Sequence, residues 1–190
     1  MKIIQYKNYV FSFLGKQNLL NNNSSQFLNC AFGKGDSNFR VRSNRKLVSK
    51  LFNNKKIIFV NQIHSSRIFF YDKTRPYDIK ADGIITKNKN VLLGILTADC
   101  APVILLGKEY FGILHVGWRG LLNNIILNAV NFFIKRGEKK EDIKFFIGPH
   151  LKPKSFEVQS DFLENIKVLK NFSIYLKESK NRIFFNYTKL

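Results

Sequence analysis

Cysteine and histidine are scarce in this chain of 190 residues, which has two cysteines and three histidines. Two cysteines do not make a disulfide framework, so an apolar core must hold the fold together. The hydrophobic share of 45% suffices for one domain over residues 1–190. Apolar runs stay short of the ~18 residues that cross a bilayer, and the N-terminal stretch MKIIQYKNYVFSF has no signal-peptide pattern. We therefore expect a cytoplasmic protein without a membrane partner, either a monomer or a weak homodimer.

Acidic residues are also few, because 13 Asp and Glu stand against 32 Lys and Arg, for a net charge of +19. Such a charge can indicate nucleic-acid binding. The lysines, however, are scattered and often adjoin asparagine, as in FNNKK and TKNKN. That pattern is typical of a solvated surface, with some general attraction for anionic substrates. The chain has no RNA-binding signature, zinc-finger spacing or Walker-type loop, so we expect no specific nucleic-acid partner.

The apolar pattern predicts a mixed α+β fold. The expected helices cover 43–53 with Ser43 as cap, 122–134 followed by Gly137, and the region near 160–169. The expected strands cover 55–64, 66–71, 90–97, 101–107, 110–117, 143–148, 173–176 and 182–187. Strands 101–107 and 110–117 are predicted to form a hairpin with Gly107 in its turn. Polar loops are expected over 15–26 and 72–80. Strands and helices do not alternate regularly, which favours layers with several hairpins.

The rare soft ligands lie at the edges of predicted strands. His64, Cys100 and His115 come from three different strands and can therefore converge at one rim of a sheet. Two imidazoles and a thiolate suit a catalytic zinc ion, which typically takes three protein ligands and keeps a fourth position open. Their wide separation along the chain is equally compatible with a buried thiol and two structural histidines.

The same atoms allow a second chemical interpretation. Cys100 as a nucleophile and His115 as its base could face each other across the hairpin, with Asp99 or Gln62 orienting the imidazole. His64 distinguishes the alternatives, because a dyad does not need it and a three-ligand metal site does.

Five short elements between residues 61 and 158 occur in the order found in a known family. They are NQIHSS, ADGIIT, TADCAPVIL, HVGWRGLLNNII and IGPHLKPKSFEV. They resemble elements of the YfiH-like family, which has been called multicopper polyphenol oxidase or laccase-like and, more recently, purine nucleoside phosphorylase. The resemblance implies zinc bound by His64, Cys100 and His115. It also implies a mixed-sheet α/β sandwich related to certain cysteine hydrolases.

The resemblance further implies a zinc-dependent purine nucleoside enzyme. The implied reactions are phosphorolysis of adenosine, inosine, guanosine and methylthioadenosine, and deamination of adenosine. Zinc lowers the pKa of water from ~15.7 toward ~7 and so supplies hydroxide at neutral pH. Asp99 and Glu157 are the candidate proton shuttles, and Arg119, near the exposed N–H groups of a helix start, is the candidate phosphate ligand. Trp118, which could instead be a core residue, and Gln62 are candidate substrate contacts.

Other residues of these elements have plainer interpretations. Gly117 and Gly120 allow a tight turn from strand to helix. Gln62 and Asp82 are expected to support neighbouring groups or to lie in turns rather than to act as catalysts, and Asp82-Gly83 is expected to form a turn. His150 stands where many relatives have cysteine, and we expect a surface histidine there.

The chain departs from the family at both ends. FSFLGKQ replaces an N-terminal Thr-Arg pattern, and the chain stops at RIFFNYTKL, where the family continues. We therefore expect a C-terminally short member whose zinc ligands are retained. Three other functions remain open, namely a thiol hydrolase such as a peptidoglycan-precursor editing enzyme, a copper phenol oxidase, and an inactive metal- or nucleotide-binding remnant. Copper is the alternative to zinc, although three histidines and two cysteines cannot supply a multicopper cluster.

Overall fold

The structure, a computed structural model, describes residues 3–15, 28–73 and 78–189. Its strands are β1 (Ile3–Tyr6), β2 (Tyr9–Ser12), β3 (Lys56–Ile58), β4 (Ile68–Tyr71), β5 (Gly83–Thr86), β6 (Val91–Leu93), β7 (Ala101–Leu106), β8 (Phe111–Val116), β9 (Lys144–Ile147), β10 (Glu157–Val158), β11 (Leu176–Ser179) and β12 (Arg182–Phe185). Its helices are α1 (Asn38–Leu51), α2 (Trp118–Leu122), α3 (Ile125–Ile134) and α4 (Ser160–Ile166). The predicted loop 15–26 lies outside the described residues except at residue 15, and the loop 72–80 is described only at 72–73 and 78–80.

Five strands form a mixed sheet in the order β4-β5-β8-β7-β9. β4 and β5 are parallel, and the other neighbours are antiparallel. The predicted hairpin is confirmed as the β7–β8 pair, whose register sets Ala101 opposite Val116 and Pro102 opposite His115. The start of β7 therefore lies beside the end of β8, next to two of the predicted metal ligands.

Both faces of this sheet are covered, so all six residues of β7 are buried. Val103 and Leu105 pack into a core that also contains Phe133 of α3. Ile104 and Leu106 belong to a second core with the β1–β2 hairpin. Because alternate side chains of a strand point to opposite faces, an apolar residue is needed at every position of β7.

The C-terminal part of the chain packs on the α3 side of the sheet. β10, β12 and β11 form an antiparallel sheet, and Ile166 of α4 and Phe185 of β12 are fully buried in the core that contains Phe133. β3 and β6 form a separate parallel pair, which packs through Ile58 against Ile84 of β5. The predicted mixed α+β architecture is thus confirmed.

The first helix begins earlier than predicted. α1 starts at Asn38 because Ser37, not Ser43, is its N-cap, and the Ser37 hydroxyl accepts the backbone N–H of Arg40 at 3.3 Å. Ser43 instead lies inside the helix.

The helix predicted over 122–134 is interrupted near its start. Asn124 has a left-handed backbone (φ 62°), so α2 ends at Leu122 and α3 begins at Ile125. Asparagine tolerates this conformation better than most residues. The end of α3 agrees with the prediction, since Gly137 has φ +86° shortly after the last turn.

Several strands differ from their predicted ranges. β3 ends at Ile58 rather than at residue 64, so His64 lies in a loop and not on a strand. β6 ends at Leu93 rather than at residue 97, because the N–H of Leu96 bonds to the side chain of Gln62 instead of a neighbouring strand. Residues 172–175 form a 3₁₀ turn, and β11 begins only at Leu176.

Gly107 lies at the hairpin turn for a reason the sequence did not show. A Cβ at this position would meet the Glu138 carboxyl carbon at 2.7 Å. That buried carboxylate accepts the N–H groups of Lys108, Glu109 and Tyr110 at 2.8–3.1 Å and so holds the turn. Among the described residues, no helix is both long and apolar enough to cross a membrane.

Candidate metal site

Three side chains from separate segments meet beside the β7–β8 hairpin. His64 lies in the loop after β3, Cys100 immediately precedes β7, and His115 is on β8. One ligand atom from each of them lies within 4.8 Å of the others, and the two imidazole rings meet edge to face with centroids 4.8 Å apart. The long chain separation is therefore closed by the antiparallel pairing of β7 with β8 and by the loop that carries His64.

Asp82 organises the loop that carries His64. Its carboxylate is fully buried and accepts the backbone N–H groups of Ile63, His64 and Ser65 at 2.6–3.2 Å, and the Ser65 hydroxyl at 2.7 Å. The loop wraps around this carboxylate with His64 in a left-handed conformation (φ 58°), which costs a residue with a side chain about 1–2 kcal/mol. His64 is thus positioned through its backbone.

Asp82 also fixes His115. It directly precedes β5, the neighbour of β8, and its Oδ1 lies 2.8 Å from His115 Nδ1. Burial raises the pKa of Asp82, but the hydrogen bonds from His115 and Ser65 outweigh burial and bring the pKa to about 2. The carboxylate therefore stays ionised and orients the imidazole, the role that the sequence analysis gave to Asp99 or Gln62. That assignment was wrong because Asp82, not Asp99, lies across from His115 in the sheet.

The two histidines have opposite pKa shifts. Burial lowers the pKa of His115, but its bond to Asp82 and the neighbouring Cys100 raise it to about 9. Burial and the positive charges of His115 and Arg119 lower the pKa of His64, which the charge of Asp82 only partly offsets. With Nδ1 of His115 bonded to Asp82, Nε2 is the nitrogen left for a metal. This carboxylate–histidine arrangement is typical of metal-binding histidines.

The donor set fits one zinc-like ion. Two imidazoles and a thiol match the three protein ligands of a catalytic zinc site, and His64 is exposed to solvent, from which a fourth ligand can bind. Gly117 makes this packing feasible, because a Cβ there would lie 3.0 Å from Cys100 Sγ and 3.4 Å from His64 Cδ2. The glycine expected only to turn the chain therefore also gives space to two of the three candidate ligands, Cys100 and His64.

Arg119 and Trp118 border the site at the start of α2. The Arg119 side chain is exposed, its charge acts on His64, and its guanidinium lies 4.3 Å above the Trp118 ring. Within the described part of the chain, no carboxylate forms an ion pair with Arg119. Trp118 is half-buried and meets Phe162 edge to face at 4.8 Å, so it belongs to the core rim. The helix start expected beside Arg119 is present, because α2 begins at Trp118, but this helix has only five residues and is separate from the longer α3.

The other predicted residues occupy different surroundings. Asp99 is exposed and adjoins Cys100. Gln62 uses both ends of its amide on the backbone of Leu96, at 2.7 and 2.8 Å. Glu157 is exposed on β10 and pairs with Arg182 at 3.3 Å. The catalytic and substrate-binding roles of these residues therefore stay predictions.

His150 is not the surface histidine that we expected, and Asp82 has only one of its two expected roles, the support of neighbouring groups. His150 is half-buried, and its Nδ1 lies 2.9 Å from the carbonyl oxygen of Gly148. Asp82 heads a buried strand, and the turn expected at Asp82-Gly83 is absent because Gly83 already belongs to β5. The available signal in the sequence was the position of Asp82 directly before an apolar strand, where its carboxylate can be buried. A buried carboxylate has to be paired or to accept several hydrogen bonds, so it organises the groups around it.

Comparison with known proteins agrees with this description. The sequence profile described as "Multi-copper polyphenol oxidoreductase laccase" matches residues 12–189. The chain is 37% identical over 157 residues to a purine nucleoside phosphorylase of Aquifex aeolicus (strain VF5), covering 81% of this chain and 72% of that one. It is 30% identical over 164 residues to a purine nucleoside phosphorylase of Rickettsia prowazekii (strain Madrid E), covering 85% and 66%. The crystal structure of Bacillus licheniformis hypothetical protein YfiH superposes with a TM-score of 0.74 at 26% identity, covering 86% and 68%.

Fold and site together define a mixed α+β protein with a candidate centre for a single metal ion. The chain belongs to the YfiH-like family, whose profile carries the polyphenol oxidoreductase description. It spans about two thirds of the length of the Rickettsia relative.

Proposed function

We propose that this protein is a zinc-dependent purine nucleoside phosphorylase that also deaminates adenosine. The observation that carries the proposal is the meeting of His64, Cys100 and His115 within 4.8 Å beside an arginine without a carboxylate partner among the described residues. Relatives named purine nucleoside phosphorylase support the substrate class. The metal centre and the anion-binding group would then serve the two reactants.

Zinc is the metal that the donor set favours. A thiolate and two imidazoles suit zinc, and a single three-ligand site leaves a position open. A multicopper oxidase needs several copper sites, whereas this chain has three histidines and two cysteines in total. When bound, a zinc ion would act as a Lewis acid and would stabilise negative charge that develops during the reaction.

Phosphorolysis requires that a phosphate oxygen bond to C1′ of the ribose while the C1′–N9 bond breaks. The purine leaves with the bonding electron pair and takes up a proton. Arg119 would hold the phosphate through charge-assisted hydrogen bonds, and Trp118 would limit the space for the base. Asp99 would transfer the proton in deamination, because it is exposed and adjoins Cys100. Gln62 would hold the 96–100 segment through its two bonds to Leu96.

Product analysis tests the proposal directly. Purified protein of known zinc content is incubated with adenosine, with and without phosphate. Adenine and ribose 1-phosphate indicate phosphorolysis, and inosine indicates deamination. His64→Ala should abolish both, with zinc lost from the purified variant. Failure of the wild-type protein to form either product would contradict the proposal, and stoichiometric copper with phenol turnover would favour the oxidase instead.

A thiol hydrolase is the second candidate, because His115 contacts both Cys100 and Asp82. In such an enzyme Cys100 would be the nucleophile, His115 its base and Asp82 the carboxylate that orients the imidazole. The metal content separates the two functions. A hydrolase would be purified without metal, would lose its activity in Cys100→Ser, and would keep it in His64→Ala. The phosphorylase would lose activity in both variants.

A further inference from the structure

Tyr187 carries a polar atom that the rest of the fold leaves without a partner. In the described part of the chain, its hydroxyl is the only buried side-chain nitrogen or oxygen atom without a hydrogen bond. The residue is 3% exposed, so water does not compensate. A phenylalanine would pack as well without this unfavourable burial. The hydroxyl group therefore calls for an explanation other than core packing.

The position of Tyr187 links it to the metal ligands. It follows β12, and its ring packs against Phe156 at 5.7 Å and edge-on against His150 at 5.9 Å. Leu151, which follows His150 in the chain, donates its N–H to the carbonyl oxygen of Asp99 at 2.9 Å. The segment on which Tyr187 packs is thus bonded to the residue directly before Cys100.

The electrostatic surroundings agree with that placement. Burial, followed by the negative charges of Cys100 and Asp99, raises the pKa of Tyr187 to about 12. The phenol therefore keeps its proton at neutral pH and can only act there as a neutral donor or acceptor. Of these two neighbours, Asp99 is exposed to water while Cys100 is half-buried. Cys100 thus depends more on a protein donor.

We propose that Tyr187 is a positioning residue of the metal centre, whose hydroxyl donates a hydrogen bond to Cys100 Sγ when the thiolate holds a metal ion. A metal-bound thiolate keeps lone pairs that accept a hydrogen bond, and groups that hold a ligand in this way contribute to metal affinity. The inference rests on the metal-binding part of the proposed function and does not involve the nucleoside chemistry.

The test compares Tyr187→Phe with wild-type protein after loading with cobalt(II) and, separately, with zinc. Loss of the hydrogen bond raises the energy of the sulfur lone pair, so the sulfur-to-cobalt charge-transfer band should move to longer wavelength. Zinc affinity, measured by competition with a chromophoric chelator, should fall about tenfold or more. The melting temperature of the metal-free variant should equal or exceed that of wild type, because the variant buries no unpartnered hydroxyl.

Tyr110→Phe is the matched control, because it removes a hydroxyl from another buried tyrosine of the same core. It should leave both metal measurements unchanged. An unshifted cobalt band together with wild-type zinc affinity in Tyr187→Phe would overturn this inference and leave the proposed function standing. Wild-type protein that binds neither cobalt nor zinc would overturn the metal site, and with it both this inference and the proposed function.

Discussion

Asp82 Oδ1 lies 2.8 Å from Nδ1 of His115, and the same oxygen accepts the backbone N–H of His64 at 3.0 Å. One buried carboxylate thus sets the ring of one candidate ligand and the backbone of another. The geometry of the candidate site therefore depends on a residue outside the set of three candidate ligands.

Asp82→Asn should weaken metal binding more than any single hydrogen bond suggests. The amide cannot accept all the donors that converge on the carboxylate, so His115 and the His64 loop both lose their orientation. We expect zinc affinity to fall 10–100-fold and the melting temperature to decrease. Chelator competition and thermal unfolding measure the two effects. Ser65→Ala is the control, because it removes one donor and keeps the carboxylate, so it should lower the free energy of unfolding by only about 1 kcal/mol. Equal zinc affinity in wild type and Asp82→Asn would contradict the role given to Asp82.

Gly117→Ala should damage the metal site while leaving the fold intact. The added methyl group would lie 3.0 Å from Cys100 Sγ and 3.4 Å from His64 Cδ2, so at least one candidate ligand must shift. Zinc content after purification should fall well below one ion per chain. Gly15→Ala is the control, because among the described residues, apart from its chain neighbours, no atom lies within 4 Å of the added Cβ. Full zinc occupancy in Gly117→Ala would show that the ligands adjust without cost.

The elements that pattern and composition predicted well are those stabilised by local or continuous burial. The β7–β8 hairpin and the last turn of α3 followed from apolar runs and a glycine. The predictions failed where a side chain from elsewhere takes over a backbone group. Gln62 removes Leu96 from the strand ladder, and this competition leaves no periodic trace in sequence.

The candidate site likewise contains residues that could be predicted from the sequence and residues that could not. His64, Cys100 and His115 could be selected because their residue types are rare and suited to metal binding. Asp82 could not be ranked above Asp99 from the sequence, because only the β5–β8 pairing places Asp82 against His115. Tyr187 gave no signal either, since a tyrosine in an apolar strand end is typical of a core.

The stabilising effect of Glu138 on the fold should be lost as the pH becomes acidic. Burial raises its pKa, but the N–H donors of Lys108, Glu109 and Tyr110 outweigh burial and lower it below its ordinary value. A carboxyl group whose pKa is lower in the folded state stabilises the fold above its unfolded pKa and loses this effect as the pH falls through its folded pKa.

Glu138→Gln should therefore lose about 1–3 kcal/mol at pH 7, and the difference from wild type should shrink below about pH 4, the range in which an unfolded carboxyl group takes up its proton. Urea unfolding at a series of pH values measures this difference. Glu109→Gln, an exposed change on the same turn, should have little effect at any pH. A difference between wild type and Glu138→Gln that stays constant from pH 7 to pH 3 would show that the charge is not involved.

Asp99→Asn and Glu157→Gln should separate the two candidate proton shuttles. Asp99 adjoins Cys100, whereas Glu157 is ion-paired with Arg182 at 3.3 Å. We expect the kcat for adenosine deamination to fall 10²–10⁴-fold in Asp99→Asn and to change little in Glu157→Gln, with zinc content unchanged in both. The reverse order of effects would transfer the role to Glu157.

Arg119→Ala should impair the use of phosphate specifically. The guanidinium is exposed, acts on His64 and, among the described residues, has no carboxylate partner, so its charge is available to a phosphate dianion. We expect the KM for phosphate to rise about 10–100-fold, as for loss of a charge-assisted bond of about 1.5–3 kcal/mol, while the rate of phosphate-independent deamination changes little. Initial rates over a range of phosphate concentrations measure this split, and Arg42→Ala, at an exposed position of α1, is the charge-matched control. An equal loss in both reactions would mean that Arg119 supports the site as a whole and does not select phosphate.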